Sequence, residues 1–458
     1  MHLFKKITVD LWLVYLLIIF LFIGLIFYGG LVRHHIINSV SRIPFFSTPA
    51  YFLASIPSNF KRIIEGQHSD LKTKEQRYEN IIGFSGDTNQ EKAYILLPRY
   101  DGNIKKSIVE LIDLRSFEVL KKWQPKINEI NKLVGESSPT YKTINKDFNS
   151  NRYLIYHPYL SDDGGLIFSG NYSPLIKIDQ DSQLLWQNDS IVFHHSIESD
   201  FEGNLWAPGV ANSPLIDTKY VSPESTNFKD DILVKFSDKG KILYKKSIIN
   251  ILIENGFENL LFQPIEGKFI FINDPIHIND IQPVLNDGDY WKKGDLFLSL
   301  RHKSMLLLYR PSTNKILWHS INHSSGQHDI QILDDHTISF FDNNTKSYFS
   351  GDKVEGVNKF IIYDFKKDTY TSYLDAAIKK SNIRTITDGK GMIFEDGSLF
   401  LQEHNYGRLI YFNSDGSTKW EYVNRADDGF VYQLRWARIF NSPEELKKID
   451  KILNDGKK

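Results

Sequence analysis

Histidines open three phrases of one kind in this 458-residue chain. They are HHSIESDFEGNLW (His194 to Trp206), DPIHINDIQPV (Asp274 to Val284) and GQHDIQILDDHTISFFDN (Gly326 to Asn343), and LSLRHKS (Leu298 to Ser304) follows the second. Each phrase reads as a histidine, a short alternating strand, an acidic or glycine-containing turn and a second strand. Three imidazoles, at His195, His277 and His328, offer hydrogen-bond donors and a nucleophile, and Arg301 adds permanent positive charge on a planar fork. No carboxylate pair for acid–base work accompanies them. Such a set suits a tetrahedral anion whose oxygens are held while its central atom is attacked, a description that fits sulfuryl and phosphoryl groups. A histidine can itself attack that centre and carry it covalently, dividing one transfer into two steps.

Convergence of the three phrases needs a fold that repeats. A strand, a polar turn and a strand ending in an aromatic residue recur in LIKIDQDSQLLW (to Trp186), LVKFSDKGKILY (to Tyr244), LLYRPSTNKILW (to Trp318) and LIYFNSDGSTKW (to Trp420). Weaker copies are VELIDLRSFEVLKKW at Trp123 and FIIYDFKKDTYTSY at Tyr373. Six copies at roughly 50 to 75 residues predict an all-β fold, a six-bladed β-propeller of four-stranded blades. A β-helix would have a much shorter period, and a pair of sandwiches would not repeat one turn six times.

The innermost strand of each blade runs along a central channel, so equivalent positions point at one axis. This places His195, His277 and His328 together, with Arg301 beside them on the following strand. Neighbours on a strand point to opposite faces, so a register shift of one residue would exchange His195 for His194. His157 has the same register one blade earlier and is expected to be structural. Glu403, His404 and Arg408 share the inner-strand register of a late blade, and Glu403 and His194 join the candidate substrate contacts. A lone propeller histidine is more often a satisfied core or turn residue; three in one register, flanked by Asp274, Asn279, Gln327 and Asp329, favour function. The runs KSNIRTITDGKG and ELKKIDKILNDGKK read as solvated surface.

Composition narrows the partners. A net charge of -1 argues against nucleic acid, which needs a basic surface to replace counterions. The absence of cysteine excludes disulfides and thiolate metal sites. From Leu11 to Val32 no residue is charged, and about 22 residues at 1.5 Å each cover about 33 Å, enough to cross a bilayer core. An uncleaved signal anchor is expected, with a cleaved signal peptide as the alternative. Lys5 and Lys6 precede the span, which favours a cytoplasmic amino terminus and places the polar remainder outside the cytoplasmic membrane. The expected divisions are 1–33 (cytoplasmic end and anchor), 34–90 (juxtamembrane connector holding a broken helix), 91–440 (propeller) and 441–458 (a C-terminal helix, begun by the capping box of Ser442, Pro443 and Glu445, appended to the surface).

HHSIESDFEGN, DPIHIND followed by SLRHKS, and GQHDIQIL followed by FFDNN resemble the bacterial arylsulfate sulfotransferase family over most of the exported domain. The resemblance implies a six-bladed propeller that moves a sulfuryl group from a phenolic sulfate ester to a phenolic acceptor without a nucleotide donor. It implies that His328 is transiently sulfurylated, that His195, His277 and Arg301 bind the sulfuryl oxygens, and that Asn279 contacts substrate. The partners implied are the aryl sulfate donor, the phenol acceptor and, through the amino-terminal helix, the membrane, with the catalytic domain periplasmic; no cofactor and no metal are expected. The chain departs from the family pattern in its anchor, its lack of cysteine and His302 in place of asparagine. The competing readings are a metal-dependent propeller hydrolase or lyase with the histidines as ligands, and a membrane-tethered binding propeller without catalysis.

Overall fold

The structure is a computed structural model that describes residues 9–37, 43–64, 71–73, 75–78, 80–146, 148–217, 219–221, 228–265, 268–271, 273–348 and 351–455. Two compact units divide the chain, Met1–Ser69 and Asp70–Lys458. In the first, the helix Leu11–Ile37 contains the span Leu11–His35, with a mean hydropathy of 2.8. Among the described residues it is the one helix long and apolar enough to cross a membrane. A second helix, Pro44–Ile64, continues through both Pro49 and Pro57. It therefore runs as one element where two internal prolines predicted a break, and the His35 and Tyr51 rings stack at 4.6 Å.

The second unit is mainly antiparallel β-structure in a propeller-like arrangement. Each strand–turn–strand copy read from the sequence is a hairpin, as in Ser173–Ile178 with Leu184–Phe193 and Lys359–Asp364 with Thr369–Ser372. The turns share a cause: Asp179 accepts the N–H groups of Asp181 and Gln183, and Asp364 those of Lys366 and Lys367, so the aspartate folds the backbone locally. The recurrent tryptophans have a second cause. An indole N–H seeks an acceptor, and Trp123 donates to the Gly164 carbonyl, Trp186 to that of Asp238 and Trp420 to the Asn89 side chain, each acceptor in a loop or turn beyond the hairpin that carries the tryptophan.

Two four-stranded sheets begin at Ile278–Pro283 and His328–Ile332. A third pairs the late strand Arg438–Phe440 with Tyr94–Asp101 and so joins the end of the unit to its start. A five-stranded sheet holds Lys390–Ile393 and recruits Gly83–Gly86 from the segment expected as a connector, pairing it with Thr418–Val423. An eight-stranded sheet runs from Tyr156–Leu160 to Ile242–Ser247, its halves linked by the pairs Phe193↔Gly209 and Val192↔Val210. Side chains stitch successive groups of strands by accepting a backbone N–H from the next: Ser107 from Ile155, His157 from Ile197, Asp231 from Ile278, Asp280 from Ile330, Asp329 from Gly391 and Gln402 from Ala437, all between 2.7 and 3.1 Å.

The C-terminal helix Pro443–Asp455 is not a mere appendage. Ser442 and Glu445 form the predicted capping box, and Ile449 and Ile452 are buried in the cluster that holds Trp123, Leu166 and Ile178. Burying two isoleucines there contributes about 3 kcal/mol by transfer from water.

Candidate active site

A repeated backbone kink aims the site. His157, His195, His277, Asp329 and Asp388 all have positive φ, at 41°, 59°, 51°, 54° and 51°. A side chain in that region costs about 1 kcal/mol or more, and such strain concentrates at functional positions. Each kink lies at or just before the innermost strand of its sheet. Asp329, not His328, occupies the kink of its strand, so His328 stands one residue ahead of His195 and His277. The expectation that all three histidines share one register is corrected here: irregular pairing between His328 and Gln331 hides the offset from a count along the sequence.

The three histidines nevertheless converge. His195, His277, His328 and Arg301 line one cavity of about 320 Å³, together with Asp388 and Arg435. Ring centroids lie 5.2 Å apart for His195 and His277 and 6.2 Å apart for His195 and His328. The Nε of Arg301 is buried without a hydrogen-bond partner among the described residues, a donor left over for an anion. Gly326 lies beside it and takes a φ of +71°, a conformation that favours glycine.

Partners fix the imidazoles. Asn343 donates from Nδ2 to the Thr385 carbonyl at 3.0 Å, which turns its Oδ1 toward Nδ1 of His328 at 2.6 Å. That oxygen can only accept, so His328 carries hydrogen on Nδ1 and a lone pair on Nε2. Burial pushes His328 down to about 4; Asp388 opposes the shift, while Arg301 and His277 reinforce it. His277 donates through Nδ1 to Asp274 at 3.3 Å, and Asp274 also accepts from Lys229 at 3.0 Å. Burial raises the Asp274 carboxyl, yet His277 and Lys229 together hold it well below the usual carboxylate range. His302, the departure from the family pattern, stacks on His277 at 4.5 Å and donates to the Asp274 carbonyl.

Of the far wall, the sequence pointed to His404 alone. Asp388 accepts from Arg435 at 2.9 Å, and Arg435 lies over the Tyr156 ring at 3.8 Å. Burial raises the Asp388 carboxyl, but His404, Arg435, His328 and Arg301 bring it down to about 2. His404 lines the cavity and is held near 3 by burial and by Arg435. Asp388 lies within KSNIRTITDGKG, read from the sequence as solvated surface; it is buried and forms the kink ahead of an inner strand. Tyr172, also on the cavity, accepts from Lys229 at 2.8 Å and is pushed up to about 12 by burial.

Three candidates lie off the cavity wall. His194 sits behind His195, with its Nδ1 2.7 Å from that of His195 and its Nε2 3.6 Å from Asp231. Asn279 is buried and donates to the Gln327 carbonyl, bracing the residue before His328. Glu403 is buried among Tyr78, Arg408, Arg77 and the Arg384 N–H. His157, expected to be structural, is also off the cavity wall, its Nδ1 accepting from Ile197 and its ring 4.4 Å from that of Trp436.

Among the described residues three sets of side chains have metal-compatible spacing; Asp334, Asp335 and His336 lie elsewhere, and the two at this site are His195 with His328 and Asp388, and Asp274 with His277 and His302. Each carboxylate already has a cation, Arg435 in one set and Lys229 in the other. A metal ion would have to compete with it.

A buried cavity that joins a neutral imidazole to an unpaired guanidinium N–H has the chemistry to take up an anionic ester. The sequence pattern of the family Arylsulfotransferase (ASST) matches residues 157–425, more than half of the chain, and the chain belongs to that family. Membership gives it an arylsulfotransferase-type function, and the family implies aryl sulfate and phenol substrates. No curated protein matches the sequence. Solved structures similar to it include a Bacteroides caccae protein of unknown function (11% identity, 75% of this chain and 98% of that one, TM-score 0.44) and a streptogramin B lyase (10% identity, 81% and 97%, TM-score 0.37).

Proposed function

We propose that this chain is a single-pass, membrane-anchored aryl-sulfate sulfotransferase that works by a ping-pong mechanism through a sulfohistidine at His328. Its sheets count as a six-bladed propeller when the eight-stranded sheet is taken as two blades joined at Phe193 and Gly209. The domain from residue 91 to 440 works outside the cytoplasmic membrane, in the periplasm, on the far side of an uncleaved anchor.

In the first half-reaction the His328 Nε2 lone pair attacks sulfur. The N–S bond forms as the S–O bond to the aryl group breaks, and the phenolate leaves with the electron pair. Arg301 holds sulfuryl oxygens and gains strength as charge gathers on them, with His195 and His277 completing the cradle. In the second half the acceptor oxygen attacks the same sulfur, the N–S bond breaks, and an imidazole of the cradle takes the phenolic proton.

The observation that carries this reading is the Asn343–His328 hydrogen bond. It leaves Nε2 unprotonated and its lone pair available, while burial keeps the ring neutral. Incubation of the full chain with a chromogenic aryl sulfate and a phenol tests it, with His328→Ala alongside. The wild type should release the chromogenic phenol and sulfate the acceptor; equal release by the variant would show that His328 is not the nucleophile.

A further inference from the structure

His328 and His277 each face the cavity with a nitrogen whose state is set by an acceptor behind the ring, Asn343 for one and Asp274 for the other. His195 is different because its Nδ1 meets another imidazole, that of His194, at 2.7 Å. One hydrogen must lie between those two nitrogens, and either ring can own it. A neutral pair of histidines has two ring hydrogens for four nitrogens. The second hydrogen therefore sits at one end of the pair: on His194 Nε2, 3.6 Å from Asp231 Oδ1, or on His195 Nε2, 3.8 Å from Asp388 Oδ1. In the first arrangement the cavity nitrogen of His195 accepts a proton; in the second it donates. Asp231 is fixed in place, since its other oxygen accepts the Ile278 N–H at 2.8 Å.

We infer that His194 and Asp231 are positioning residues that make His195 a reversible proton carrier, storing the acceptor's proton between the two half-reactions. The inference rests on the sulfuryl-transfer reading above. When the acceptor hydroxyl attacks the sulfohistidine, the new O–S bond forms and the N–S bond breaks, returning the lone pair to His328. The hydroxyl hydrogen passes to His195 Nε2, and the hydrogen between the rings moves to His194 Nδ1. Positive charge then rests on His194 opposite Asp231 and away from Arg301. With the next donor the sequence reverses: His195 Nε2–H protonates the departing phenolate oxygen, and the shared hydrogen returns to His195 Nδ1. The first turnover draws its proton from solvent.

The surroundings suit a transient charge. Burial lowers the His194 proton affinity, Asp231 raises it, and His277 and Lys229 lower it again; the Tyr172 ring packs at 5.2 Å. Around His195, burial, His194, His277, His328 and Arg301 all act to lower its proton affinity, with Asp388 beside its Nε2. The pair is thus neutral when the acceptor meets the sulfohistidine and ready to take its proton.

Asp231→Asn tests the relay in the full chain in detergent. An amide –NH₂ facing His194 Nε2 would hold that nitrogen bare and keep hydrogen on the cavity end of the pair. His194→Asn is the second variant, keeping an acceptor for His195 but no site for a proton. Wild-type and variant enzymes are first loaded with 4-nitrophenyl sulfate, and transfer is then timed to phenol and to the more acidic 4-nitrophenol. The relay predicts that either variant loses about 100-fold with phenol and about tenfold with 4-nitrophenol. The dependence on acceptor acidity thus steepens. Equal losses with both acceptors, or no loss with either in a variant that melts like wild type, would overturn the relay. Failure of the wild type to load sulfuryl at all would instead overturn the sulfotransferase reading.

Discussion

A roomy groove in the second unit and the cavity of the histidines are different places. A groove of about 710 Å³ lies between the strands Leu205–Val210 and Leu296–Leu300, more than twice the volume of the histidine cavity. It has aromatic walls at Trp206 and Tyr244, and its charges are matched: Lys235 with Asp200 at 2.8 Å, Arg310 in a fork with Asp295, and Lys293 over the Phe201 ring. In the histidine cavity, by contrast, Arg301 has an unused buried N–H, His328 keeps a lone pair, and the backbone is kinked at His195, His277 and Asp388. Volume therefore does not locate chemistry here. Buried polar groups left incomplete, on a backbone strained to aim them, do so.

Substitutions can break that contrast, and the largest effect belongs to the nucleophile. His328→Ala should abolish transfer, with a loss on the order of 10³-fold or more in kcat, because no alternative covalent route remains. Measurable transfer at wild-type rate would erase the distinction between the hollows. Next, Arg301→Lys keeps the charge but loses the planar fork, and kcat should fall about 100-fold with little change in KM. Asn343→Leu removes the acceptor that fixes the His328 tautomer; steady-state assays should show a loss of about 10- to 100-fold. In the groove, Arg310→Met leaves Asp295 buried without its partner. Stability should fall by about 2 kcal/mol in denaturant titrations while kcat stays within about twofold of wild type.

Acidity sharpens the comparison further. His328 folds with a value of about 4 against an ordinary 6.5, so the unfolded chain binds the extra proton first as pH falls. The stability at stake is fully present above 6.5 and declines as pH falls toward 4; His404, held near 3, adds the same sign. Melting temperature should drop across that window. The acid limb of kcat/KM with an aryl sulfate should lie near pH 4, where His328 protonates, and a limb near 6.5 would mean that the imidazole is not buried as described.

Much of this was legible in the sequence because periodicity carries through to structure. The six turn copies are hairpins, since aspartates fold the turns and tryptophans need acceptors beyond their own hairpin. His195, His277, His328 and Arg301 were found because histidine is a conspicuous marker in a strand phrase. The offset of His328 was not legible, because irregular pairing changes register without changing the spacing of residue types. Nor was Asp388: an Asp-Gly pair in a polar run is ordinary turn sequence, and only the fold shows that it occupies the kink matching His277. His194 looked interchangeable with His195 until the 2.7 Å contact between them showed that one stands behind the other.

The central claim is that His328 carries the sulfuryl group. Full-chain enzyme exposed to an aryl sulfate without acceptor, digested under mildly alkaline conditions and examined by mass spectrometry, tests it most directly. The peptide containing His328 should gain the mass of one sulfuryl group and lose it when a phenol is added. Sulfuryl on a peptide containing His195 or His277, or product formed with no modified peptide at any time, would contradict the claim.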